Sequence, residues 1–122
     1  MTVVSNSKLH DKRLLGTWCS DARRTGKEIS ARNDIPKTQK KRLKKFFGKL
    51  QIKYTRARAY ATLDGSTESW SYKVVGKDST SVVILGRTEP EESPLLTHIH
   101  FEEPFFWISL GNGRIREFFK RQ

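Results

Sequence analysis

From Leu50 to the end of the chain, apolar residues recur at every second position in short runs, and turn-forming residues separate the runs. A period of two puts alternate side chains on opposite faces of a strand, so each run can bury one face. Leu50, Ile52 and Tyr54 share one face, and Ala57, Ala59, Ala61 and Leu63 line the next. Trp70, Tyr72 and Val74 then oppose Ser69, Ser71 and Lys73, while Ile99 and Phe101 alternate with His98, His100 and Glu102. Residues 82–85 are apolar on both faces, as in a strand covered on its outside. Asp64-Gly65, Gly76-Lys77-Asp78, the acidic loop 89–94, Glu103-Pro104 and Asn112-Gly113 supply the turns. Arg56 to Arg58 lacks Gly and Pro, which predicts a bend or bulge rather than a clean hairpin.

Ahead of this meander, Asp11 to Leu15 reads as a short helical turn leading into a first strand over about 16–23. Gly16 lets the backbone pass close to a neighbour, and Trp18 can plug one end of a closed sheet. Residues 24–34 read as a loop or strand extension. Asp34, Pro36 and Gly48 bracket a helix over 36–48. Leu43, Phe46, Phe47 and Leu50 form its apolar stripe, expected to face the sheet. The count is about eight strands with one helical insertion. The predicted fold is all-β, a single domain over 1–122 with residues 1–10 flexible: an eight-stranded antiparallel up-and-down barrel. Its first and last strands must meet, which places Trp18 against Arg114 or Arg116.

The chain of 122 residues carries a formal charge of +11. Residues 1–58 hold 17 Lys or Arg against 4 Asp or Glu, and residues 59–122 hold 7 against 9. Such an asymmetry points to an anionic partner or to a solvated basic surface. Cys19 is the only cysteine, so an intrachain disulfide is excluded. The charged N-terminus gives no secretory signal, and no run is long enough for a membrane-spanning helix, so a cytoplasmic location is expected.

Gly16-Thr17-Trp18, the helical insertion and Arg116-Glu117-Phe118 together resemble the calycin group, the lipocalins and the cytosolic fatty-acid-binding proteins. The resemblance implies a small ligand held inside the barrel. In the fatty-acid-binding proteins an Arg-x-Tyr pair on the last strand holds the ligand carboxylate; here Arg116 is kept and Phe118 replaces the Tyr. In lipocalins a basic residue near the end packs across the tryptophan, a part open to Arg114 or Arg116. The lipocalin Thr-Asp-Tyr motif is absent.

The expected function is therefore non-catalytic binding of a small apolar, possibly anionic ligand. Trp70, Tyr72, Ile108 and Phe118 are the candidate lining residues, Arg114 and Arg116 the polar anchors, and Trp18 the plug. Alternation alone leaves the facing of the last strand open, because Ile115 and Phe119 make the other face equally apolar. The alternative is a basic module that binds nucleic acid or an anionic membrane through residues 37–58. In that reading Lys40, Lys41, Lys44 and Lys45 carry the contact. His98 and His100 could present two imidazoles to one metal, but His-x-His is common on strand surfaces, and no metal or cofactor is expected. No nucleophile elbow, phosphate-binding glycine loop or zinc-protease pair is present, so nothing argues for an enzyme.

Overall fold

The computed structural model describes residues 2–3, 9–87, 95–110 and 115–122. Arg114, the 89–94 loop and the Asn112-Gly113 turn lie outside them. The chain order is β1 (Thr2–Val3), β2 (Gly16–Ser20), α1 (Ala22–Ser30), α2 (Lys37–Lys44), β3 (Gln51–Tyr54), β4 (Arg58–Leu63), β5 (Ser66–Lys77), β6 (Ser81–Arg87), β7 (Leu95–Glu102), β8 (Phe105–Leu110) and β9 (Ile115–Arg121). Each strand from β2 to β9 pairs antiparallel with the next, and β9 returns to pair with β2. The ring of eight is thus closed, as the alternation predicts. Beside it, β1 pairs with Gly76–Lys77 at the far end of the long strand β5, inside a stretch expected to be flexible.

Two turns are set by local chemistry. Asp64 (φ 50°) and Gly65 (φ 84°) take the left-handed conformation that closes a two-residue hairpin. Between β3 and β4, Thr55 accepts the Arg58 amide on its hydroxyl at 3.2 Å, giving a bent connection. The register shift of the barrel falls elsewhere, between Val74 and Gly76 of β5.

Inward side chains fill one end of the barrel. Trp18 and Phe119 are fully buried there, with Phe106 beside them. Phe106 packs on Trp18 at 4.6 Å and on Phe119 at 4.9 Å between ring centres. The turn over 11–15 lays the fully buried Leu14 across this end, and Leu14 accepts the Trp18 indole N–H at 2.9 Å. Arg121 covers Trp18, its guanidinium 4.2 Å from the ring, and donates to the carbonyls of Leu15 and Arg13 and to Glu103. The cation on the tryptophan is thus Arg121, and Arg116 lies elsewhere.

Residues 22–30 form a helix where a loop or strand was expected. Asp21 caps it, accepting the Arg24 amide at 2.8 Å, and Thr25 and Ile29 are buried one turn apart. Just past the last β2–β9 pair, Thr25 Oγ1 accepts the buried amide of Phe118 at 2.9 Å, so α1 takes the place of a neighbouring strand. Phe118 is consequently buried on the outside of the barrel under α1, while Phe119 points in. That orientation also places Arg116 outside, paired with Glu28 and lying over Trp107. Neither Arg116 nor Phe118 faces the interior.

The second helix stops at Lys44, earlier than expected, and none of its residues is buried. Leu43, Phe47 and Leu50 are half-buried, but Phe46 is 75% exposed, so the predicted stripe only partly faces the protein. Gly48 marks the return to β3: a Cβ there would sit 2.7 Å from that of Ala22. Its amide donates to Ser20 Oγ, which in turn donates to Glu117 at 2.7 Å. Burial pushes the Glu117 carboxyl above its ordinary range, partly offset by the Ser20 bond. The folded protein therefore holds its proton at pH values where the unfolded chain has released it, and stability falls as pH rises through that window. Thermal unfolding from pH 4 to 8 should show Glu117→Gln losing this slope and matching or exceeding the parent at neutral pH. A parallel pH profile in both proteins would contradict it.

Candidate functional site

At the barrel end opposite Leu14, the inward side chains do not meet. Alternate positions on three neighbouring strands (Glu68 and Trp70 on β5, Ile84 and Gly86 on β6, Leu95 and Thr97 on β7) enclose, with Tyr54, a cavity of about 220 Å³. Register brings them together, with Ile84 opposite Thr97 and Gly86 opposite Leu95. Gly86 makes room for the indole of Trp70, since a Cβ there would come within 3.1 Å of the ring. Tyr54 is buried edge-on against Tyr72, and burial pushes its hydroxyl well above the usual range, so it stays a neutral phenol. Among the described residues, Glu68 is the only charged one lining the cavity, and it is exposed. Leu95, 69% exposed, stands at the rim next to Leu96 at 63%.

Of the residues expected inside, Trp70 lines this cavity. Tyr72 points inward but lies deeper, its hydroxyl donating to the Thr55 carbonyl, and burial raises its pKa to about 12. Ile108 packs against the core rather than the cavity. With Arg116 outside, no cation stands around the cavity among the described residues, so it offers no partner for an anion. Ile84, Gly86, Leu95 and Thr97 carry no sequence mark as wall residues, because β6 is apolar on both faces and only the β6–β7 register brings them together.

The basic residues gather elsewhere. Lys41, Lys44 and Lys45 are exposed, and Lys40 is half-buried, donating to the Ser30 carbonyl at 2.9 Å. None of the ion pairs among the described residues includes a residue of α2. The Lys44 side chain passes Gly26, so the basic face of α2 adjoins α1. Where α1 meets β8 and β9, a groove of about 300 Å³ is lined by Asp21, Arg23, Arg24, Lys27, Phe105 and Lys120.

His98 and His100 lie on the outer face of β7. His98 Nε2 is 2.8 Å from Ser81 Oγ, and His100 is stacked on Trp107 with ring centres 3.9 Å apart. Burial, then the neighbouring His98, lowers the His100 pKa. Ser81 Oγ also donates to Asp78, whose carboxyl is held near about 2, first by the Thr80 amide and then by Ser81. Among the described residues no cluster of three or more His, Cys, Asp or Glu could hold a metal. No helix among them is long and apolar enough to cross a membrane.

Fold and site together define a closed eight-stranded antiparallel barrel with one plugged end and one hollow end. Comparison with known protein families, with curated proteins and with solved structures returns no match for this chain.

Proposed function

We propose that the protein is a non-catalytic binding barrel that takes a small, apolar, uncharged molecule into its hollow end. The supporting observation is the cavity of about 220 Å³ beside Trp70, with its apolar rim and no basic residue among the described residues of its walls. Its volume exceeds the ~150 Å³ that admits benzene and lies below the ~300 Å³ at which drug-sized pockets begin. A single ring or a short alkyl chain fits those bounds. Tyr54 and Thr97 supply hydroxyls for orientation, while Glu68 at the mouth disfavours an anion. The lipocalin resemblance agrees with a ligand in the interior, and the Arg121 cover on Trp18 fills the part it assigns to a terminal basic residue. A carboxylate anchored by Arg116 is not part of the proposal.

Titration with indole, followed by calorimetry, tests it. Saturable binding by the parent should be lost in Thr97→Phe, which fills the cavity, with the melting temperature nearly kept. Equal binding by both proteins, or none by the parent to indole or toluene, would contradict it.

A further inference from the structure

The groove between α1 and the outer face of β8 and β9 has features the cavity does not use. We infer that it binds a single-stranded nucleic acid, with phosphates along the cations and a base against Phe105. Arg23, Lys27 and Lys120 converge on it from two elements, and none of them takes part in an ion pair among the described residues. Arg24 is held differently: it pairs with Glu28 at 3.2 Å and lies 3.9 Å above Phe118. Asp21, the one acid among the described residues lining the groove, has its carboxylate engaged by the Arg24 amide as the cap of α1. Three cations available to solvent around a concave surface make a track for a polyanion.

The aromatic wall selects the partner. Phe105 stands edge-on to the buried Phe118 and lines the groove, so one ring is presented among positive charges. Strands that expose their bases gain from such a ring, whereas a duplex keeps its bases stacked within. A membrane surface would need an apolar face to insert, yet Leu63, Leu95 and Leu96 lie on β4 and β7, away from α1 and β9. Among the described residues, Phe46 is the one large apolar side chain strongly exposed on or just after the basic helices. Lys41, Lys44 and Lys45 of α2 lie outside this groove and add to the positive field around α1.

Fluorescence anisotropy of a labelled mixed-sequence RNA 12-mer, read from 50 to 300 mM KCl, tests this. The parent should bind with a steep salt dependence. Changing Arg23, Lys27 and Lys120 together to Gln should flatten the slope of log affinity against log salt by about 2, at ~0.7 per phosphate contact. Phe105→Leu should weaken binding about tenfold with the slope unchanged, and Phe105→Tyr should bind like the parent. Indole binding should be unaltered in every variant that keeps the parent's melting temperature, which separates this site from the cavity. No binding at 50 mM KCl, or equal affinity for Phe105→Leu and Phe105→Tyr, overturns the inference. So does preferential binding to phosphatidylserine vesicles with the same lysine dependence, which would assign the face to membranes.

Discussion

Replacing Trp18 by Ala is expected to cost about 3–5 kcal/mol, the range for removing a large buried aromatic. The indole is fully buried, touches Phe106, donates to the Leu14 carbonyl and carries the Arg121 guanidinium. Its loss leaves a void at the filled end and removes the surface on which Arg121 lies. Trp18→Phe keeps most of the apolar contact and loses the N–H bond, so it should fall between parent and Ala. Urea unfolding of the three proteins measures the series. A Trp18→Ala protein with the parent's midpoint would show that Trp18 does not hold this end.

The second large effect belongs to Thr25. Its hydroxyl is the acceptor for the Phe118 amide, and both residues are fully buried. Thr25→Val has nearly the same shape but leaves that amide without an acceptor, at an expected cost of about 1–3 kcal/mol. Thr25→Ser keeps the hydroxyl and should cost less, as one buried methyl is worth about 1 kcal/mol. If Val proved the milder substitution, packing rather than the hydrogen bond would join α1 to the barrel.

Strands β3, β4, β5 and β7 were legible because their apolar residues alternate, and β6, β8 and β9 as short apolar runs between turn residues such as Glu103-Pro104 and Asn112-Gly113. Trp18 stood out as the large aromatic of the first strand, and it is fully buried. The helix α1 was not legible, because only two of its nine residues, Thr25 and Ile29, are buried, and Thr is no marker of an apolar stripe. Asp21, a capping residue at its start, was the available signal. The facing of β9 was hidden for a related reason. The helix covers the outer face, so Phe118 is as buried as Phe119 and alternation loses its contrast. Phe46 shows the converse: an apolar residue at helical spacing can remain in water when its helix meets the protein on only part of its stripe. Cavity walls are harder still, since an empty space depends on which inward side chains fail to meet. The smallness of Gly86 beside Trp70 has meaning only once β5 and β6 are in register.

The joining of β2 to β9 rests on three residue pairs, Trp18–Arg121, Cys19–Lys120 and Ser20–Phe119. Every other contact in the ring links strands that follow one another along the chain; those from β3 onward can form as local hairpins, and the β2–β3 pair spans the two helices. The β2–β9 pairing must bring together segments roughly a hundred residues apart, and it meets the entropy of the longest loop in the molecule. The hairpins can therefore assemble as an open curved sheet before any ring exists. In the closed ring, Arg121 on Trp18 and Thr25 at the Phe118 amide act as clasps on either side of this short seam.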